Sequence, residues 1–276
     1  MRLYKTKAGI VIEKESKYYS VADENWESFI NDDSLFQKME KLVQSLPVSG
    51  NELIIDVIVP MGNNQELWAC GVTYLRSKVG RQEESKASGG ADFYGKVYEA
   101  ERPEVFFKST PHRIVGTNDF VRIRKDSTWD VPEPELTLVV TSSGKIIGYT
   151  IGNDMSSRSI EGENPLYLPQ AKTYDKCAAL GPCIYVTDIL LDSNTKIGLT
   201  INRNNQTVFE DSIAISQMKR TPQELVSFVY RECSFPYGCL IMTGTGIVPG
   251  NDFTLKSGDE IKISIDNIGT LINTVQ

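Results

Sequence analysis

Val131-Pro132-Glu133-Pro134-Glu135-Leu136-Thr137-Leu138-Val139-Val140 is the stretch that decides how this chain is read. Its second half, residues 136–140, is an apolar β-prone run and predicts a strand. Side chains alternate across a strand, so Glu133 and Glu135 project from one face. Two adjacent carboxylates repel each other, and are tolerated when solvated or when a cation sits between them. After the turn residues Ser142-Ser143-Gly144, a second apolar run at 145–151 predicts the return strand. It leads into Gly152-Asn153-Asp154-Met155-Ser156-Ser157-Arg158, so the hairpin can bring Asp154 beside the glutamates. Three hard oxygen donors with room for water suit Mg²⁺, Mn²⁺ or Ca²⁺. A solvated acidic strand entrance fits the same spacing.

The chain has 276 residues, enough for a sizeable core in one large domain or a large and a small one. With 40% hydrophobic and 24% charged residues, the composition is that of an ordinary globular protein. The net charge is −7, and no basic block or aromatic-basic stripe occurs, which argues against a nucleic-acid partner. In so acidic a chain, Arg and Lys near a site carry more information, because an anionic substrate needs them. The five cysteines are odd in number, with no C-x-x-C and no zinc spacing. They read as reduced, mostly buried thiols of a cytoplasmic protein. There is no charged-then-apolar leader and no apolar run near the length of a membrane span, so no membrane partner is expected.

Residues 1–67 read as a small β-rich N-terminal domain and residues 68–276 as the main one. The first begins with a hairpin from Arg2-Leu3-Tyr4 and Gly9-Ile10-Val11-Ile12. A helix opens at Asp33-Ser34-Leu35, carries the stripe Leu35, Met39, Leu42, Val43 and Leu46, and stops at Pro47. Residues 53–59 predict a strand. In the main unit, residues 70–74 predict a short strand ending at a site edge with Tyr74. Residues 76–101 are charged, contain Gly89-Gly90, and are too long for a featureless loop. They predict a lid or binding loop, with a floppy insertion as the alternative. Residues 159–176 read as a polar loop. Thr221-Pro222-Gln223-Glu224 is a capping box that opens a helix. Further strands are expected at 102–109, 183–186, 197–201, 206–210, 240–242 and 260–265. Strands dominate, so the fold class is α+β, mainly β.

Several motifs occur in a telling order: Gly71-Val72-Thr73-Tyr74, Arg102-Pro103-Glu104-Val105-Phe106-Phe107-Lys108, Glu133-x-Glu135-Leu136, and the Asp154 segment. Lys172, Leu180-Gly181-Pro182, Met242-Thr243-Gly244-Thr245-Gly246, Lys256-Ser257-Gly258-Asp259-Glu260 and Ile268-Gly269-Thr270-Leu271-Ile272-Asn273 follow. Over residues 68–275 the chain resembles the fumarylacetoacetate hydrolase superfamily. The resemblance implies a mixed β-sandwich roll with a small N-terminal domain, assembled as a homodimer or homotetramer. It also implies a divalent metal, foremost Mg²⁺, on Glu133, Glu135 and Asp154. By the same resemblance a 2-oxo acid chelates the metal, which stabilises the enolate formed when a C3 proton leaves. Lys172 sits where the family has a site lysine. It is either the base, its pKa lowered near a cation, or a charged partner of a metal carboxylate. Thr245 matches the threonine that contacts the substrate carboxylate. Arg158, Gln170 and Tyr74 are further candidates for holding substrate.

The C–C hydrolases of this superfamily use a His–Glu pair on the lid segment. The only histidine here is His112, beyond that segment, so the hydrolytic pair is missing. Tyr98-Glu99-Ala100-Glu101-Arg102-Pro103-Glu104, Ser127-Thr128-Trp129-Asp130-Val131-Pro132-Glu133 and residues 160–172 resemble the branch of 2-keto-3-deoxy-D-arabinonate dehydratases. That branch implies loss of the C4 hydroxyl, protonated by Glu101 or Glu163, to give 2,5-dioxopentanoate. The expected function is therefore Mg²⁺-dependent dehydration of a small-molecule 2-oxo sugar acid in pentose breakdown. Two rivals are a C–C hydrolase of a 2,4-diketo acid and a non-catalytic sugar-acid binding protein. Two carbon fragments as products would mark the first, and binding without turnover the second.

Overall fold

The computed structural model describes residues 1–84 and 91–276. Alternating apolar residues build the opening meander β1 (Arg2–Thr6), β2 (Gly9–Lys14) and β3 (Lys17–Val21). Two helices follow, α1 (Trp26–Ile30) and α2 (Leu35–Ser45). Asn25 caps α1 by accepting the Ser28 N–H, and α2 stops just before Pro47. Next come β4 (Glu66–Gly71), α3 (Leu75–Glu84), α4 (Ala91–Glu99) and β5 (Glu104–Ser109). Two short strands, β6 (Ile114–Val115) and β7 (Asp119–Val121), lead to the long hairpin β8 (Asp130–Val140) and β9 (Ile146–Ser157). The chain continues through α5 (Arg158–Glu163), α6 (Leu168–Lys172), β10 (Ala178–Val186), β11 (Lys196–Arg203) and β12 (Gln206–Ala214). It finishes with α7 (Pro222–Val229), β13 (Cys239–Met242), β14 (Glu260–Ile265) and β15 (Gly269–Val275).

Among the described residues these strands form two sheets. One runs β3-β2-β1-β10-β9-β8-β13-β4-β5, with β6 also paired to β10. The other runs β12-β11-β14-β15-β7. Apolar side chains of β8 and β9 such as Leu136, Leu138, Tyr149 and Ile151 pack with Leu199, Ile263 and Leu271 of the second sheet. A separate cluster joins β1–β3, α1 and α2 to the opposite face, with Phe29, Ile30, Leu35 and Met39 buried in it. The N-terminal meander thus extends the large sheet itself, through β1 on β10. This is the mainly β sandwich expected from the sequence. Four cysteines are buried and Cys233 is exposed, and all five are free thiols. No described helix is long and apolar enough to cross a membrane.

Four segments depart from the sequence reading. The strand expected at 70–74 is β4, which ends at Gly71, and Tyr74 makes only an isolated bridge to Met218. Residues 53–59 are not a strand: Asn51–Ile54 forms a 3₁₀ turn and Val57 makes one isolated bridge to Thr6. Strand β1 already pairs with β2 and β10, so only its far end has an edge left for this segment. The loop expected at 159–176 contains α5 and α6, helped by Asn164 capping the Leu166 N–H and by prolines 165 and 169 in first turns. The lid segment 76–101 is helical in α3 and α4, while Gly89-Gly90 lies outside the described residues.

Prolines 132 and 134 look wrong for a central strand, since they cannot donate to a ladder. The pairing explains them. β8 pairs with β9 along its whole length, but with β13 only from Thr137 onward. Over 130–136 its other edge is therefore free of a strand, and loops fill it. Thr243 N–H donates to Leu136 O at 3.0 Å, and Leu255 N–H to Asp130 O at 2.9 Å. This opening is what lets the turn after β13 approach the glutamates.

At the start of β8, burial pushes the Asp130 carboxyl up to about 6 from 3.8. The folded state favours its protonated form, so this residue costs stability as pH rises through that window. Asp130→Asn is expected to raise Tm by about 2–4 °C at pH 7.5 and to give no gain at pH 4. Thermal denaturation at the two pH values checks this, and a lower Tm for the variant at pH 7.5 would contradict it.

Candidate metal centre

The hairpin register builds the site. Glu133 on β8 lies directly opposite Asp154 on β9, and Glu135 lies two residues further along the same face. The strand β9 is longer than expected and carries Asp154 within the ladder. One carboxylate oxygen from each of the three residues falls within 4.8 Å of the others, and all three residues are buried. The cavity they share measures about 10 Å³, room for roughly one water-sized occupant. A buried set of three hard oxygen donors around such a space fits a divalent cation.

Among the described residues, four cations surround these carboxylates. Lys172, at the end of α6, donates to Glu133 Oε2 at 2.5 Å and to Asp154 Oδ2 at 3.3 Å. Lys108, on β5, lies 2.5 Å from Asp154 Oδ1 and also donates to the carbonyls of Met155 and Lys172. Both lysines are 0% exposed. Arg81 of α3 and Arg158 of α5 lie 3.2 and 3.4 Å from Glu133 Oε1. Glu135 is different, because its direct partner is the Gly244 N–H at 2.6 Å rather than a side-chain cation. Burial, with Asp154 and Glu133 nearby, pushes its carboxyl well up. Burial also acts on Asp154, but Lys108 and Lys172 overcome it and hold that carboxyl below its usual value. Burial, and Arg81 beside it, pull the Arg158 guanidinium well down.

The remaining predicted residues divide by helix and strand periodicity. Thr245 is buried and lines the cavity, its hydroxyl exchanging hydrogen bonds with Ile247. Tyr74 is buried but stands behind the cavity, where its ring leaves no space for a β-carbon on Gly246. Gln170 is exposed beside Leu168, Pro169 and Phe107. It sits two positions before Lys172, about 200° around the helix, so Lys172 inward means Gln170 outward. Glu163 is exposed for the same reason, since Glu161 faces in. Glu101 is also exposed, in the turn before β5, where its carbonyl accepts from Arg220. In this chain none of these three joins the cavity. His112 is exposed too, hydrogen-bonded to the Thr110 hydroxyl, in a groove with Arg122 and Lys176.

Two groups near the centre have no site role in the sequence reading. On β5 the period of two puts Glu104, Phe106 and Lys108 on one face. Glu104 pairs in register with Gly71, a residue that lines the cavity, and a β-carbon at 71 would overlap its carboxylate. Burial raises the Glu104 carboxyl, against the lowering pull of Arg81 and Lys172. On α3, Ser77 and Arg81 are four positions apart and both line the cavity. So the predicted lid segment does supply residues to the site.

Residues 78–276 match the family described as fumarylacetoacetate (FAA) hydrolase C-terminal. A probable 2-keto-3-deoxyxylonate dehydratase of Haloferax volcanii is 49% identical over 212 residues, covering 76% of this chain and 72% of that protein. The 2-dehydro-3-deoxy-D-arabinonate dehydratase of Saccharolobus solfataricus is 45% identical over 213 residues, with the same coverage of 76% and 72%. The solved structure of a 2-keto-3-deoxy-D-arabinonate dehydratase complexed with magnesium and 2,5-dioxopentanoate superposes with a TM-score of 0.82 at 35% identity. That match covers 100% of this chain and 99% of the other. With its fold, its carboxylate centre and its motifs in agreement, this chain belongs to the fumarylacetoacetate hydrolase C-terminal family.

Proposed function

We propose that this protein dehydrates a 2-keto-3-deoxy sugar acid, the arabinonate or xylonate type, to 2,5-dioxopentanoate, with Mg²⁺ held by Glu133, Glu135 and Asp154. The observation that carries this is the buried three-carboxylate centre ringed by cations, in a chain close in sequence to two dehydratases. When bound, a divalent cation supplies Lewis acidity at the 2-oxo group and compensates the buried negative charge. The chain's own residues do the rest. Lys172, its nitrogen held at the cavity by Glu133 and Asp154, is the base for the C3 proton. That role requires its neutral amine form, and so a bound cation in its place as the partner of the two carboxylates. Glu104, whose carboxyl is raised by burial, protonates the departing C4 hydroxyl. The C3–H and C4–O bonds break and one water leaves. A proton then moves from C5 to C3, and the resulting enol becomes the C5 aldehyde. Thr245 and Arg158 hold the substrate in place.

Proton NMR of the purified protein with Mg²⁺ and racemic 2-keto-3-deoxypentonate tests the reading. An aldehyde signal that grows with time and is lost with EDTA is the expected result. Two carbon fragments, or no change in the substrate, would overturn it.

A further inference from the structure

Residues 160–163, Ile160-Glu161-Gly162-Glu163, are distinctive in the sequence, yet the chemistry above uses neither glutamate. Glu161 is only 2% exposed. It pairs with Arg81 of α3 and accepts the Ser156 hydroxyl at 3.1 Å. The other terminal nitrogen of Arg81 lies 3.2 Å from Glu133 Oε1. One guanidinium therefore spans from α5 to the carboxylate centre. Helix α3 can lie this close because residue 80 is glycine. A β-carbon there would sit 3.1 Å from Val248 Cγ1 and 3.8 Å from Arg158 Nη1. Glu161 Oε1 has no hydrogen-bond partner among the described residues, although it is buried.

Among the described residues, two carboxylates, Glu133 and Glu161, pair with Arg81. A guanidinium so placed suits a neutral hydroxyl better than a further anion, and its planar fork makes the contact directional. With α3 as it lies, the cavity has room for roughly one water-sized occupant, so a five-carbon acid needs its lining, of which Arg81 is part, to give way. Glu161, buried and hydrogen-bonded to Ser156, is the contact that orients the Arg81 side chain.

We propose that Arg81 is the specificity residue for the hydroxyl-bearing C4–C5 end of the substrate, and that Glu161 is its positioning residue. The inference rests on the dehydratase reading and names which part of that substrate is recognised, and by what.

The test compares the wild type with Glu161→Gln and Arg81→Lys on two probes. One is dehydration of 2-keto-3-deoxypentonate; the other is C3 hydrogen–deuterium exchange into pyruvate, a 2-oxo acid without the hydroxylated end. Mg²⁺ affinity is read by calorimetry. Both variants are expected to lose about 30-fold or more in kcat/KM on the pentonate, mainly through KM. The loss on pyruvate exchange should be at least about ten times smaller, with Mg²⁺ affinity within about threefold of wild type. Equal losses on both probes, or a parallel loss of Mg²⁺ affinity, would show a general structural role and overturn the inference. So would unchanged kcat/KM on the pentonate. If Glu161→Gln fails to fold, Arg81→Lys alone decides, because it keeps the charge and loses the fork. A wild type that does not dehydrate the pentonate sinks the function itself, whereas a working wild type with unselective variants sinks only this inference.

Discussion

Glu135→Gln is expected to cut dehydration and Mg²⁺ affinity by at least about 100-fold while leaving the fold intact. The three carboxylates are not equivalent, and their neighbours say why. Asp154 touches two buried lysines, and Glu133 touches Lys172, Arg81 and Arg158. Neutralising either leaves buried cations short of a partner, a loss on the order of 3–5 kcal/mol. Asp154→Asn should therefore lose both metal binding and stability. Glu135 accepts a backbone N–H, and burial and its carboxylate neighbours disfavour its charge. A carboxyl raised in this way is most stable when protonated, and its contribution falls as pH rises through its folded value. Gln removes that burden, so the Tm of Glu135→Gln in EDTA should equal or exceed wild type at pH 7.5. Mg²⁺ at about 100 times Kd should stabilise the wild type by about 2.7 kcal/mol and this variant hardly at all. Calorimetry with Mg²⁺ and melting with and without EDTA read both parts. Full activity in Glu135→Gln would refute the metal centre.

Glu104→Gln should separate the two halves of the reaction. If Glu104 protonates the leaving hydroxyl, its loss lowers dehydration by about 10²–10⁴-fold. Exchange of the C3 proton with solvent deuterium should continue, because Lys172 remains in place. The pH dependence follows from the direction of its shift. Burial raises the Glu104 carboxyl, so the acid stays protonated to higher pH than an ordinary glutamate. Dehydration should then fall as pH rises through that raised value, and this fall should be absent from the residual activity of the variant. Parallel loss of exchange and dehydration would make Glu104 the base or a structural residue, and the assignment of the acid would be wrong.

Glu101 and Glu163 are exposed, whereas Glu104, the acid proposed above, lies against Gly71 at the edge of the cavity. All three are glutamates near recognisable motifs, and spacing along the chain ranks none of them. Glu104 faces the centre because β5 pairs with β4 in a register that sets it opposite Gly71. A pairing between strands more than thirty residues apart in sequence has no local signature. The period of two from Phe106 would have placed Glu104 and Lys108 together, but not on the side where Asp154 lies. Gln170 lies outside the carboxylate cavity for a related reason. Its segment read as a loop, and only a helix forces residues 170 and 172 apart.

The sequence by itself determined the elements whose signals are local: the β8–β9 hairpin, the stripe of α2, the cap of α7 and the three carboxylates. Glu133, Glu135 and Asp154 were legible because strand alternation and one turn suffice to bring them together. Only the tertiary structure brought in Lys108 and Arg81 beside the sequence candidates Lys172 and Arg158, since the four arrive from four different elements. It also decided that residues 53–59 form no strand: β10 takes the edge of β1 at Arg2 and Leu3, and only the end near Thr6 is left, where Val57 makes a single bridge. Both outcomes have one physical cause. Periodicity fixes which side of an element a residue occupies, while burial and pairing between distant elements fix what that side meets.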